Sequence, residues 1–163
     1  MTLPINLTEK GFAIAKTTNP DLQDYIAIKK HCYEKYVDEY FGGWVDEVAI
    51  EIDTKAFNKM IESTCFQKVM LHDNIVGFWG FDEKSDVIDE VTIQLITEVQ
   101  GQGVGTCYLE QLVALSNKTI KPTLLRVFKS NPARVLYERF GFMVYDENAS
   151  HYLMRYESKN IDI

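Results

Sequence analysis

The sequence contains only three cysteines, and they show none of the patterns of cysteine-rich proteins. Cys32, Cys65 and Cys107 are an odd number and lack the close spacing of metal ligands. A disulfide framework and a metal site are both disfavoured, so reduced thiols in a cytoplasmic protein are expected. Because no histidine and aspartate surround Cys107 in sequence, we expect it to pack rather than react.

Long apolar stretches and basic clusters are absent as well. The chain has no run of about 18 apolar residues and no charged-then-apolar leader, so no membrane segment is predicted. Its 17 basic residues are outnumbered by 24 acidic ones, which gives a net charge of −7. A nucleic-acid scaffold needs the opposite balance, whereas a cationic small molecule would suit this one. Neither a nucleic-acid nor a membrane partner is expected.

The apolar content is sufficient for one core. With 163 residues, 46% of them hydrophobic, residues 1–163 are predicted to form a single α/β domain. Periodicity predicts the order β-α-α-β-β-β-α-β-α-β-β, a mixed sheet flanked by helices. Asn19 is predicted to cap the first helix, with Pro20 and Asp21 in its first turn. Residues 44–52 show neither the apolar spacing of a helix nor that of a strand, so their structure is left open.

The most informative motif is Gln100-Gly101-Gln102-Gly103-Val104-Gly105. It closes an apolar strand predicted at 87–96 and opens a helix predicted at 106–116. Glycines let a ligand approach the main chain, and the first amides of a helix lack partners and carry partial positive charge. The motif therefore predicts a phosphate-binding loop. Glycines that serve only a turn or tight packing are the alternative.

The spacing of the glycines excludes two common phosphate-binding motifs. A dinucleotide-binding GxGxxG would need glycine where Thr106 or Tyr108 stands. A Walker loop needs Gly-Lys-Ser/Thr, and the sequence has no such triplet. The pattern that fits is QxxGxG.

A second motif, NPARVLYERFGF, runs from Asn131 to Phe142. Together, the two motifs closely resemble the acyl-CoA site of the GNAT superfamily of N-acetyltransferases, over about residues 86–156. The resemblance implies a GNAT-like fold, with a central, mostly antiparallel twisted sheet flanked by helices. It also implies acetyl-CoA as the acyl donor.

The resemblance implies a set of cofactor-binding residues. The main-chain amides of the glycine loop would hold the pyrophosphate, and the fourth strand would bind the pantetheine arm through backbone groups that a bulge frees from its neighbour. The sequence departs from the family at Gln102, where lysine or arginine is common; Lys129 or Arg134 could supply that charge or remain solvated. The implied residues are Ile93, Gln94, Leu95, Gln100, Gly101, Gln102, Gly103, Val104, Gly105, Thr106, Asn131, Arg134 and Tyr137.

Tyr137 occupies the position where the family places a tyrosine near the CoA sulfur. The resemblance therefore implies that it protonates the departing thiolate. From the residues alone, an aromatic side chain filling the core beside Leu136 and Phe140 is the alternative.

Two carboxylates are candidates for the base that deprotonates the acceptor amine. Asp89 stands where some family members have a catalytic glutamate, and Glu90 follows it. Strict strand alternation would put Asp89 on one face with Ile93 and Glu90 on the other with Thr92. A solvated charge at the strand entry is the alternative for either.

The acceptor is expected to bind between the first two helices and the last hairpin, as the family implies. The candidate residues are Tyr33, Tyr36, Trp44 and His151. Aromatic rings beside carboxylates could receive an alkylammonium group. An aromatic core with an acidic solvated face is the alternative.

These features predict an N-acetyltransferase that moves acetyl from acetyl-CoA to a primary amine. Direct attack in a ternary complex is favoured, because no nucleophile with a partnered base is visible. The alternatives are a non-catalytic acyl-CoA-binding regulatory module and a transferase with a longer acyl donor. The acceptor, a small-molecule or peptide amine, is undetermined, and the abundant aromatic residues are compatible with a homodimer.

Overall fold

The computed structural model describes residues 1–159, so the last four residues of the predicted domain lie outside the described part. The helices are α1 (Ile5–Thr8), α2 (Leu22–Phe41), α3 (Asp46–Ile61), α4 (Val104–Thr119) and α5 (Ala133–Arg139). The strands are β1 (Phe12–Lys16), β2 (Cys65–Leu71), β3 (Asn74–Glu83), β4 (Ile88–Leu95), β5 (Thr123–Phe128), β6 (Met143–Glu147) and β7 (His151–Tyr156). The predicted order is confirmed, with the short helix α1 added before β1.

The seven strands form one sheet in the order β1-β2-β3-β4-β5-β7-β6. Neighbouring strands are antiparallel except β4 and β5, which run parallel because α4 connects them across one face. The predicted mixed, mostly antiparallel sheet is therefore confirmed.

Helices cover both faces of the sheet. Tyr25 of α2 packs edge-on against Phe78 of β3, at a ring-centroid distance of 5.3 Å, and this defines the α2 face. On the opposite side, which we call the α4 face, Trp79 stacks on Tyr108 of α4 at 5.3 Å. The Tyr108 hydroxyl donates a hydrogen bond to the Gly80 carbonyl at 2.7 Å, which satisfies this buried phenol. Within residues 1–159, no helix has both the length and the apolar content needed to cross a bilayer.

The structure assigns one segment that the sequence left ambiguous and corrects one local prediction. Residues 46–52, which fit neither period, are helical and form the start of α3, although Val48 and Ile52 remain exposed. Their exposure explains the weak pattern, because the periodicity of a helix is visible only where one face is buried. Asn19 is not a cap: it lies in a 3₁₀ helix, Asn19–Asp21, that leads into α2, and Thr18 caps this turn through a reciprocal capping box with Asp21.

A bulge in β4 overturns the expected alternation of side chains. Glu90 has φ +51°. The four residues 89–92 of β4 lie opposite only three residues of β3, 80–82, so β4 carries one extra residue here. Asp89 opposes Asp82, and Gln94 opposes Phe78. Because opposed residues share a face, Asp89 lies on the α2 face with Gln94, not with Ile93 on the α4 face. The bulge that the family resemblance implied is present.

Beyond the bulge, β4 and β5 separate. Their pairing is confined to Ile88 opposite Thr123, so within the described residues β4 has no paired residue on β5 from Asp89 onward. A wedge therefore opens between 89–95 and 124–128, and we refer to this gap as the wedge. Backbone groups that a closed sheet would consume remain available along it.

Asp21 ties the start of α2 to the sheet and should contribute to stability. Burial alone would raise the pKa of Asp21, but hydrogen bonds from Lys68 Nζ (2.8 Å) and Thr18 outweigh it and lower the pKa. We expect Asp21→Asn to lower the free energy of unfolding by about 1–2 kcal/mol at neutral pH. Urea unfolding measures this, with the exposed first-turn variant Asp24→Asn as control.

The pH dependence of that difference follows from the lowered pKa. The carboxylate contributes fully above its unfolded-state pKa of about 4, and its contribution is lost as pH falls through the lower folded-state value. The difference between wild type and Asp21→Asn should therefore shrink in acid. An equal difference at pH about 7 and about 3 would contradict the assignment.

Candidate active site

The glycine loop adopts a conformation that explains two of its glycines. Gly101 (φ +74°) and Gly103 (φ +98°) lie in the left-handed region, where a side chain is strained. A Cβ built on Gly101 has no atom within 4 Å, so the loop faces open space there. A ligand can therefore approach the main chain at this point.

The loop ends directly at the amino terminus of α4. Helix α4 begins at Val104, and no side chain caps it. The Cys107 amide bonds to the Gly103 carbonyl at 2.9 Å, which leaves the amides of Val104, Gly105 and Thr106 ahead of the helical ladder. These amides and the helix dipole make this terminus the part of the site suited to hold a pyrophosphate.

Both glutamine side chains of the loop are used within the protein. Gln100 Nε2 donates to the Leu95 carbonyl at 2.9 Å, and Gln102 Nε2 donates to the Glu98 carbonyl at 3.4 Å. They brace the loop against the end of β4. The Gln100 main-chain amide is also used, because it donates to the Thr97 carbonyl at 3.2 Å. Any contact of this loop with the cofactor is therefore left to the main-chain amides from Gly101 onward.

Gly105 marks the point where three elements meet. A Cβ built on it lies 3.5 Å from Leu136 Cδ2 of α5 and 3.7 Å from Ile93 Cδ1 of β4. The amino terminus of α4, the pantetheine-binding segment predicted on β4 and the helix that carries Tyr137 are thus adjacent. Residues distant in sequence are thus brought together at one point.

Tyr137 is buried, with its ring 6.2 Å from that of Phe142. Burial, and secondarily the nearby Tyr36, raises the pKa of Tyr137 to about 12. The phenol is therefore neutral across the physiological range and carries a proton to donate.

Asn131 and Arg134 flank the start of α5. Asn131 Oδ1 accepts from the Ala133 amide at 2.9 Å, which leaves the Asn131 side-chain NH₂ for a ligand. Arg134 pairs with Glu138 at 2.7 Å and lies 4.3 Å from the ring centroid of Tyr152. Its guanidinium is already engaged, so a role in phosphate binding would require it to change partners.

The two candidate bases are both ion-paired. Glu90 contacts Lys59 of α3 at 2.5 Å, and Asp89 Oδ2 contacts Lys84 at 2.6 Å. Asp89 Oδ1 is buried and has no hydrogen-bond partner within residues 1–159. Because an unpaired buried carboxylate oxygen can accept from an amine or water, the geometry favours Asp89 over Glu90.

Phe128, at the end of β5, organises the predicted acceptor residues, although sequence reasoning missed it. Tyr36 stacks on it at 5.0 Å, Tyr33 lies at 6.0 Å and the His151 ring at 4.0 Å. Tyr40 and Phe41 complete this group, which we call the Phe128 cluster. Its rings pack on one another, so the aromatic-core alternative describes much of this surface.

Trp44 is not brought into the Phe128 cluster. Its indole donates to Asp46 Oδ1 at 2.9 Å, and Lys30 lies 6.0 Å from its ring centroid. The structure thus unites Tyr33, Tyr36 and His151 and leaves Trp44 at the start of α3.

Cys32 is a second residue that sequence reasoning missed. Its thiol donates to the Leu95 carbonyl at 3.4 Å, and burial raises its pKa to about 11. This cysteine is therefore a protonated contact between α2 and the end of β4, not a nucleophile. All three cysteines are free thiols, as predicted.

Comparison with known proteins agrees with this geometry. A protein-family model described as "Acetyltransferase (GNAT) domain" matches residues 31–153. The [ribosomal protein bS18]-alanine N-acetyltransferase of Haemophilus influenzae is 36% identical over 77 residues, which are 45% of this chain and 53% of the relative. The matched segment thus spans about half the length of that relative.

Solved structures share the fold at low identity. The PaiA N-acetyltransferase of Thermoplasma acidophilum, solved in complex with coenzyme A, superposes with a TM-score of 0.69 at 18% identity and covers 90% of this chain and 98% of its own. The ribosomal-protein-S18-alanine N-acetyltransferase of Escherichia coli gives 0.64 at 20% identity, with coverages of 91% and 95%.

Two glycines with matching backbone strain allow a controlled test of the loop. Gly101 (φ +74°) and Gly42 (φ +81°) both face open space, but only Gly101 belongs to the glycine loop. We expect Gly101→Glu to weaken acetyl-CoA binding at least about tenfold, because the carboxylate repels the pyrophosphate. Gly42→Glu should bind as wild type does. Calorimetric titration measures both, and equal weakening would assign the effect to strain.

Proposed function

The chain belongs to the GNAT family of acetyltransferases, and we propose that it takes an acetyl group from acetyl-CoA and passes it to a primary amine by direct attack in a ternary complex. The observation that carries the proposal is the convergence at Gly105 of the uncapped α4 terminus, the β4 edge and α5. This convergence would place the pyrophosphate, the thioester and the proton donor in one line.

The donor would bind along the wedge. The amides of residues 101–106 would hold the pyrophosphate, and Asn131 would bond the pantetheine arm through its side-chain NH₂. Backbone groups at Ile93–Leu95 would bond the rest of the arm, and one amide there would stabilise the oxygen that becomes negative as the amine adds. The bulge supports this step, because it leaves β4 without a paired strand on that side.

The reaction then proceeds in balanced steps. A free amine nitrogen attacks the thioester carbonyl carbon, and the carbon–sulfur bond breaks when the tetrahedral intermediate collapses. Tyr137 donates its proton to the departing thiolate, and the proton released from nitrogen restores the tyrosine directly or through solvent. Asp89, through its unpaired Oδ1, would take the proton that an ammonium must lose before attack. The products are an N-acetylated amine and CoA.

We propose a peptide amino terminus as the acceptor. The names of the Haemophilus influenzae and Escherichia coli relatives specify a ribosomal-protein alanine, which supports an α-amine. Such an amine has a pKa of about 8, so a useful fraction is unprotonated near neutral pH. We expect the peptide to enter from the α2 face, where the predicted acceptor residues Tyr33, Tyr36 and His151 lie.

The remaining parts of the proposal concern the length of the acyl group, the domain organisation, the location and the oligomeric state. Acetyl is expected over longer acyl groups, and a donor-length series would distinguish them. A single domain, a cytoplasmic location and a homodimer remain predictions. The free thiols support the cytoplasmic location. The exposed apolar residues Phe41, Val48 and Ile52 are compatible with a homodimer interface.

Removing one hydroxyl tests the proton donor. Tyr137→Phe keeps the ring against Phe142, so we expect kcat to fall about 10²-fold while KM for acetyl-CoA changes little. Steady-state kinetics at saturating acetyl-CoA measure this. Tyr145→Phe, on an exposed tyrosine of β6, is the matched control. If both variants turn over like wild type, Tyr137 is a packing residue.

Paired carboxamide variants test the base. Asp89→Asn should lower kcat about 10²-fold near neutral pH, and Glu90→Gln should have a small effect. Because Asp89→Asn must rely on amine that is already free, its rate should rise with pH until the amine pKa of about 8 is passed. A wild-type pH–rate profile in Asp89→Asn would show that the base lies elsewhere.

A further inference from the structure

Arg126 occupies the middle of β5 on the side from which the acceptor would enter. Leu125 and Val127 are buried, whereas Arg126 is exposed and shares the opposite face with Phe128. Phe128 contacts Tyr36 of α2, so this is the α2 face. Asp89 and Gln94 on β4 lie on the same face, which places Arg126 beside the wedge.

The neighbouring cations have partners, but Arg126 does not. Lys129 pairs with Glu147 at 3.4 Å, and Arg155 pairs with Glu157. Arg126 forms no ion pair or side-chain hydrogen bond in the part of the chain that is described. On the β7 side, the nearest aligned carboxylate is Asp146, on the far side of Leu153, so about 10 Å of sheet separates its backbone from that of Arg126. On the β4 side, Asp89 is paired with Lys84 and Glu90 with Lys59. Asp146 Oδ1 accepts instead from the Glu147 amide at 2.8 Å.

The surroundings of Arg126 keep its charge uncompensated. His151 is adjacent on β7; burial, and then the Arg126 charge, lower the pKa of this histidine, so the imidazole is neutral at physiological pH. The ring of His151 packs on Phe128, and its Nδ1 bonds to Ser150 Oγ at 2.8 Å. A guanidinium with free donors beside rigid neutral rings is suited to bind a carboxylate through two parallel hydrogen bonds.

We propose that Arg126 selects the acceptor by binding a carboxylate close to the amine that is acetylated. This inference rests on the proposed function and refines its substrate class to a peptide whose first few residues include an acidic side chain. It opposes the simplest interpretation of the net charge of −7, which favours a cationic small molecule. The local charge at the wedge, not the total, determines which acceptor is attracted.

Peptide binding in the absence of turnover tests the inference directly. Short amidated peptides with a free amino-terminal alanine and Glu, Gln or Lys at the second and third positions are titrated calorimetrically with CoA present, so no acetyl is transferred. Wild type should bind the Glu peptide about tenfold more tightly than the Gln peptide. Arg126→Gln should remove that preference, and Arg126→Glu should reverse it in favour of the Lys peptide.

The controls separate the two proposals. Arg139→Glu makes the same charge change at an exposed arginine on α5 and should keep the wild-type preference. Equal affinity for the Glu and Gln peptides, or a preference unchanged in Arg126→Glu, overturns the role of Arg126. Kinetics with acetyl-CoA and the same peptides test the proposed function itself: discrimination in binding without any acetyl transfer would contradict transfer but support Arg126.

Discussion

The bulge at Glu90 interrupts the hydrogen-bond ladder of β4, and the wedge that follows is the constraint on which the proposed site depends. If β4 and β5 stayed paired along their length, no main-chain group at Ile93–Leu95 would be free for a ligand. The bulge also moves Asp89 to the α2 face, where it meets the acceptor side of the sheet. One residue in a left-handed conformation therefore affects both halves of the reaction.

Aromatic packing holds the acceptor side in place. Phe128 is the last residue of β5, and the carboxyl-terminal half of α2 packs against it because Tyr36 and Tyr40 stack on its ring. Ser130 reinforces this contact by donating to Glu39 at 2.6 Å. The tyrosines thus serve mainly to fix α2 over the wedge, and charge recognition falls to a residue with free donors. Arg126 is such a residue, which is why local contacts change the expectation drawn from composition.

At the donor end, the basic side chains considered for phosphate binding are either missing or already paired. No lysine or arginine stands at Gln102, and Arg134 is engaged by Glu138. In the proposed site, anion binding would therefore depend on the uncapped amides and dipole of α4, which follow the left-handed Gly101 and Gly103. Burial raises the pKa of Tyr137 further above its ordinary value, so the phenol stays protonated well into the alkaline range.

The sequence alone determined the features that are local. Capping residues, glycines and apolar runs predicted most of the strands and helices, and two motifs identified the family and the donor. Features that depend on long-range contact were decided only in the folded chain. The face on which Asp89 lies depends on the bulge, which shifts the alternation of side chains along β4. The positive φ of Glu90 that forms the bulge could not be predicted from the residue type. The Phe128 cluster and the isolation of Arg126 required α2, β5 and β7 to be brought together, since a side chain's partners, not its identity, determine whether it is free to bind.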